Sequence, residues 1–285
     1  MPSGKHLAQP ALPSERISAP VERDGNPAAN PSEPDARQLK RDLALVTGLA
    51  CVASVASFLW FFRHGQILLY GDAVAHINIA RRVVDSRTPG PLQLGTVWLP
   101  LPHLLTLPFI VNDWLWRSGV GGSITSMLAY VCAVAGTFRL ARASASRFSP
   151  QQTQRRRLPG TPRFAAWLAA GLLGLNPNLL YMQATAMTET LFLATLIWAI
   201  VYFDEFLRGL FPAGAATHIC QQKADVGHSA KSLERCAVVL AAAMLTRYDG
   251  WVLALVIGCA SAIMALRYIR APRQPNNGAG RATPT

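Results

Sequence analysis

Polar and apolar positions along this chain are sorted into long blocks rather than mixed. Residues 43 to 62, LALVTGLACVASVASFLWFF, are uncharged throughout. They correspond to about 30 Å of helix at roughly 1.5 Å per residue, enough to cross a hydrocarbon core. Residues 118 to 138 form a second uncharged run, bracketed by Arg117 and Arg139. Between 164 and 203 the only charge is Glu189. That run is too long for one crossing, and Asn176-Pro177-Asn178 supplies a turn. Two spans are expected there, 162 to 176 and 184 to 203, with Pro162 at a helix start. Residues 236 to 266 are apolar apart from Arg247 and Asp249 in LTRYDGW. Two charges in a lipid-facing helix centre would cost several kcal/mol, and Asp-Gly favours a turn, so a hairpin turning at 246 to 250 is expected. The pattern predicts an all-α polytopic membrane protein of about six transmembrane helices.

Arginine placement predicts sidedness. The loop 139 to 163 holds seven arginines and no acid, and segment 267 to 281 holds four. By the positive-inside rule both face the cytoplasm, as do both termini. The outer side then receives 63 to 117, 177 to 188 and 246 to 250. The first outer loop breaks the rule mildly, with five arginines against three aspartates, but long loops follow it less strictly. Residues 1 to 42 carry seven prolines, six charges of each sign and no apolar block, so a disordered cytoplasmic tail is expected. The transmembrane domain is expected over 43 to 268, with a disordered basic tail over 269 to 285.

Composition adds little to this. The chain is 51% hydrophobic, 15% charged and has a net charge of +12. In a soluble protein that excess would suggest nucleic acid; here it lies beside apolar runs, where topology explains it better, and no nucleic-acid partner is expected. The five cysteines are odd in number, lack CxxC spacing and mostly fall in apolar runs, so neither a disulfide framework nor a zinc site follows.

Candidate chemistry sits on the outer side. DAVAHINIARRVVD reads as an amphipathic helix lying at the bilayer surface. Ala73, Ile77, Ala80 and Val84 share one stripe, Asp72 and His76 stack four apart on another, and Arg81 and Asp85 form a further pair. TVWLPLPHLLTLPFIV follows, with Pro100, Pro102 and Pro108 breaking any continuous helix, so an interfacial or re-entrant segment is expected. Trp98, Trp114 and Trp116 would anchor it at the interface. Bland accounts exist for each polar group. Asp72 fits a helix N-cap, His76 and His103 fit packed or surface histidines, and Arg81 and Arg82 fit a solvated face. Glu189 is costlier to dismiss, because an unpaired carboxylate inside a span is expensive. Arg247 and Asp249 fit a simple ion pair across a turn. The common sidedness of Asp72 with His76, Glu189, and Arg247 with Asp249 is the stronger signal.

The ordered set of a span, a Gly-Asp-opened outer helix, QLGTVWLPLPH, NPNLLYMQATAMTE and LTRYDGW resembles the GT-C class of integral-membrane glycosyltransferases over about 43 to 268. That class includes protein O-mannosyltransferases and the aminoarabinose transferase of lipid A. The resemblance implies a polyprenyl-phosphate sugar donor as co-substrate and inverting transfer to an acceptor hydroxyl on the outer face of a bacterial inner membrane. It assigns Asp72 as general base. Arg247, with Arg81 or Arg82 as weaker candidates, would stabilise the phosphate leaving group. Glu189 would orient sugar or acceptor, His76 would hold Asp72 in place, and His103 and Asp249 would join the substrate-binding set. Members of the class usually have eight or more spans, so a truncated or non-catalytic relative, or a second polypeptide supplying missing spans, is also implied. Neither DxD nor an outer ligand cluster is present, so a divalent metal is not expected. Two other readings stay open: a transporter or flippase of a lipid-linked substrate, and a structural membrane subunit.

Overall fold

The computed structural model describes residues 33–94, 97–147, 161–210 and 219–270, and among them all regular structure is helical. In chain order the helices are α1 (Glu33–Arg63), α2 (Gly71–Arg82), α3 (Pro100–Ile110), α4 (Asp113–Ser118), α5 (Val120–Arg147), α6 (Thr161–Gly174), α7 (Pro177–Met182), α8 (Glu189–Leu210), α9 (Ile219–Met244) and α10 (Asp249–Arg270). A 3₁₀ turn covers Pro91–Gln93. Among the described residues three helices are long and apolar enough to cross a membrane: α1 over Asp35–Arg63, α5 over Val120–Ser146, and α8 over Glu189–Leu210. The other three expected spans fall short of that standard for identifiable reasons. Over the described residues α6 has 14 residues, the apolar part of α10 covers Asp249–Met264, and α9 carries Lys231, Glu234 and Arg235 near its middle.

Helix α5 is the hub. On one side its Tyr130, Val134 and Phe138 pack with Val46 and Ala50 of α1 and Ala166 and Ala170 of α6. On the other, Ala129 and Ala133 meet Ala194, Ile197 and Val201 of α8. Helices α8 and α9 run antiparallel: Gly209 lies against Ser229, Cys236 Sγ donates to the Ala199 carbonyl at 3.3 Å, and Glu189 meets Arg247. Small residues allow this close approach, as in membrane helix pairs generally. Helix α9 therefore tracks α8 from residue 229 onward, earlier than the uncharged run from 236 suggested. Helix α10 then folds back, placing Ile257 against Ala199 and Cys236.

Residues 33 to 42, read as part of a disordered tail, belong to α1. Asp42 explains why. Its side chain is 2% exposed and accepts from Nε and Nη2 of Arg163, both at 2.8 Å, and from Nη1 of Arg142 at 3.4 Å. That cluster ties α1, α5 and α6 together at the arginine-rich end of the bundle. The rest of the expected N-terminal tail and nearly all of the C-terminal one lie outside the described residues.

The connection between α1 and α5, expected as the first outer loop, is folded rather than extended over a surface. Ala73, Ile77 and Ala80 of α2 are buried against Ile110 of α3 and against Ala186 and Met187, so the apolar stripe packs on protein; Val84 is exposed. The three prolines do not break α3. Pro100 and Pro102 occupy its first turn, where backbone N–H groups have no intrahelical partner, and only Pro108 lies inside. At 11 residues α3 is about 16 Å long, too short to cross.

Between α7 and α8 the chain leaves helical geometry while Gln183, Ala184, Thr185, Ala186, Met187 and Thr188 all stay buried. Side chains satisfy much of this segment. Ser123 donates to the Ala184 carbonyl at 2.7 Å and Ser126 to the Met187 carbonyl at 3.0 Å. Gln183 accepts from Ser54 Oγ at 2.7 Å and donates to Ser57 Oγ at 2.7 Å. Gly122 leaves room for it: a Cβ there would fall on that of Ala186 and within 2.6 Å of Ile77 Cγ2. Gly122→Ala should therefore destabilise the protein by about 1–3 kcal/mol through overpacking. Thermal unfolding in detergent checks this, with Gly48→Ala, where a Cβ meets nothing within 4 Å, expected to leave the melting temperature unchanged or higher.

Candidate functional site

The helix ends around this buried segment gather most of the expected residues. Glu189 opens α8, where the positive end of the helix dipole favours a carboxylate. Arg247 lies in the turn between α9 and α10. Its Nη1 donates to Glu189 Oε1 at 2.8 Å and to Thr188 Oγ1 at 3.4 Å, and its Nε donates to Asp249 Oδ2 at 3.1 Å. The Arg247–Asp249 pair expected across the turn is present, and Glu189 makes it a three-membered cluster. Glu189 Oε2 is buried and makes no hydrogen bond among the described residues. Such an atom calls for a donor.

The connection between α1 and α5 is bolted to the same turn. Leu101 N donates to the Leu245 carbonyl at 3.1 Å, and the Tyr248 hydroxyl to the Val97 carbonyl at 3.3 Å. This draws Trp98, His103 and α2 toward the cluster. His76 Nδ1 lies 3.0 Å from His103 Nε2, and the Trp98 ring sits 4.9 Å from that of His76. Both histidines are buried, at 5% and 1% exposure. His76 thus binds His103 and makes no hydrogen bond to Asp72, contrary to the expected holding role.

Asp72 is exposed in the first turn of α2. It is not the N-cap: that position belongs to Tyr70, and no side chain caps the helix. The charges acting on His76 are Glu189, Asp72 and Arg247. Asp72, His76, His103, Glu189, Arg247 and Asp249 therefore share one neighbourhood, with Arg82 also acting on His103.

Arg81 belongs elsewhere. It bonds Asp85 at 3.0 Å, Asp113 at 2.5 Å and the carbonyls of Ile110 and Val111, and it lies over the Trp116 ring. The pair with Asp85 was expected; the rest makes Arg81 the clamp joining α2 to the start of α4. Trp116 is likewise occupied, donating to Asn78 Oδ1 at 3.0 Å, whereas Trp114 is exposed.

Two cavities are present, of which the first adjoins the cluster. One, of about 410 Å³, is lined by Glu189, Arg247, Asp249, Asn176, Asn178 and apolar residues of α6 to α8. The other, of about 520 Å³, is an almost wholly apolar groove between α3, α5, α8 and α9, lined by Leu104, Phe109, Leu128, Leu191 and Trp198 among others. Asn176, Asn178 and Thr188 were missed as site residues. Asn176 had signalled only a turn, and it does cap α7 by accepting from Asn178 N and Leu179 N. Among the described residues no group of three or more His, Cys, Asp or Glu could hold a metal ion.

Burial sets the histidine electrostatics. It lowers the pKa of His103 from 6.5 to about 4, helped by His76 and Arg82. Burial also lowers that of His76, with Glu189 and Asp72 working against it. The folded state thus binds fewer protons than the unfolded one. Stability supplied by the neutral pair is complete above pH 6.5 and is lost as pH falls toward 4. His103→Gln should flatten that acid-side loss, measured as melting temperature against pH.

No protein-family model, curated protein or solved structure matches the chain.

Proposed function

We propose that the chain crosses a membrane six times, through α1, α5, α6, α8, α9 and α10, with both termini on the arginine-rich cytoplasmic side. Its outer cluster transfers a hexose from a polyprenyl-phosphate donor to an acceptor hydroxyl. The observation that carries this reading is Glu189 Oε2, a buried carboxylate oxygen with no donor among the described residues, beside an arginine and at the edge of a mainly apolar cavity that Asn176, Asn178 and Asp249 also line. A carboxylate held that way suits a ligand hydroxyl. The apolar groove includes Leu191, two positions along α8 from Glu189, and could take the lipid chain of the donor.

In this account Asp72 acts as general base on the acceptor hydroxyl and Glu189 orients the sugar or the acceptor. Arg247 meets the departing lipid phosphate. It is shared between Glu189 and Asp249, and the phosphate takes the place of Asp249, whose carboxylate is 65% exposed. Attack by the acceptor oxygen opposite the leaving phosphate inverts the anomeric centre. The competing view is a structural subunit. It is favoured by the same ion pairs, since Arg247 already has protein partners on both sides.

The discriminating experiment is Asp72→Asn, assayed with a radiolabelled polyprenyl-phosphate hexose in membranes. Transfer should fall by about 10²–10⁴-fold with an unchanged melting temperature. Full transfer by the variant would exclude Asp72 as the base. Glu189→Gln should lower transfer as well, because the amide puts an N–H donor where a ligand donor has to bind.

A further inference from the structure

Helix α3 differs from α2 in its charge. Between Arg87 and Asp113 the chain holds no Asp, Glu, Lys or Arg, whereas α2 carries Asp72, Arg81 and Arg82. The polar side chains of α3, His103 and Thr106, are buried, and its exposed side chains are Leu104, Leu105 and Pro108, all apolar. A helix that lies on a bilayer surface keeps a charged or strongly polar face toward water. Helix α3 has no such face.

Its contacts with α5 give its depth. Thr106 donates to Thr125 Oγ1, and Thr125 donates to the Leu105 carbonyl, both at 3.4 Å. Thr125 lies five positions past Val120, the first residue of α5, or about 7–8 Å along its axis. Leu104, Leu105, Pro108 and Phe109 wall the groove of about 520 Å³ that extends to Cys132 of α5 and Trp198 of α8. Cys132 is twelve positions past Val120, about 18 Å along α5. These α5 positions fall inside the uncharged run 118 to 138, and a hydrocarbon core is about 30 Å thick. The two ends of α3 are tied to charged turns instead. The Leu101 amide meets the Leu245 carbonyl, two residues before Arg247, and the Ile110 and Val111 carbonyls accept from Arg81. The exposed Trp114 adjoins Asp113, and tryptophan is enriched at membrane boundaries.

We propose that α3 is a re-entrant helix embedded in the hydrocarbon layer, and that chains of the surrounding bilayer lipids cover Leu104 and Leu105 and enter the groove. The facing walls of one groove share one solvent. The far walls belong to α5 and α8, both long and apolar enough to cross a membrane, and Leu128 of α5 is 61% exposed there. Lipid that covers those walls also covers α3, so whatever enters the groove comes from the bilayer. The proposal needs α5 and α8 to cross a membrane; it does not need sugar transfer.

The test uses the full chain in phosphatidylcholine nanodiscs, with the native cysteines replaced. A nitroxide is placed in turn on Leu104→Cys, Leu105→Cys and Thr195→Cys, the last on the α8 wall of the groove. Power saturation compares collisions with oxygen, which concentrates in hydrocarbon, and with a water-soluble nickel chelate. Val52→Cys, exposed on α1, marks the hydrocarbon interior, and the exposed Arg87→Cys marks water. All three labels should follow Val52→Cys, rich in oxygen collisions and poor in nickel ones. Nickel reaching Leu104→Cys and Leu105→Cys as it reaches Arg87→Cys would overturn the embedding. Nickel reaching Thr195→Cys alone would overturn the lipid occupant. Nickel at Val52→Cys would sink the membrane reading beneath both. A check that keeps the native cysteines is fluorescence quenching by phosphatidylcholine brominated on its chains. Trp198→Phe should show a smaller quenched fraction than the wild type, and an equal fraction would overturn entry into the groove.

Discussion

The end of this bundle that carries the candidate site depends on satisfying a stretch of buried backbone that is not helical. Where water is scarce, every peptide group that leaves a helix needs another partner. Residues 183 to 188 are buried without interruption, and serines of two neighbouring helices reach into them. Ser123 and Ser126 of α5 donate to main-chain carbonyls, while Ser54 and Ser57 of α1 engage Gln183. Each such bond contributes only about 1 kcal/mol net, but leaving a buried group unmade costs more. The segment is therefore fixed from two sides, and Glu189 is delivered at its end. The same segment seats α2, because Ala186 and Met187 pack against Ala73 and Ile77.

From that seat follows the meeting of distant parts of the chain. Helix α2 brings Asp72 and His76, α3 brings His103, α8 brings Glu189, and the α9–α10 turn brings Arg247 and Asp249. The ion pair of Glu189 with Arg247 is about one-third to two-fifths exposed on its two sides. An exposed pair contributes at most about 1 kcal/mol, so it registers the turn against α8 rather than holding the bundle together. The bundle is held by small-residue packing of α5 and α8 and by the buried Asp42 cluster at the opposite end. Stability and candidate chemistry thus sit at different ends of the molecule.

Much of this was legible in the sequence. Apolar block length marked the helices, Asn176-Pro177-Asn178 marked a turn, and LTRYDGW marked a hairpin tip, because each is a local effect. Three things were not legible. The depth of Gln183 to Thr188 depends on serines some 60 and 130 positions away in the chain, and no local pattern encodes that. Arg81 reads like any surface arginine until Asp113 and two carbonyls from a later segment surround it. The His76–His103 contact joins positions 27 residues apart, whereas helical spacing alone pairs His76 with Asp72. Prolines misled for a positional reason: in the first turn of α3 they remove no hydrogen bond that the helix would make.

The central claim is that the connection between α1 and α5 and the α9–α10 turn form one wall around the carboxylates. Its most direct test is oxidative cross-linking of Leu101→Cys with Leu245→Cys in membranes, in a background lacking the native cysteines. The Leu101 amide and Leu245 carbonyl are hydrogen-bonded at 3.1 Å, so a disulfide should form rapidly and in high yield while the cluster stays intact. A pair that resists cross-linking, although each cysteine alone reacts with an external thiol reagent, would mean that the loop and the turn do not meet.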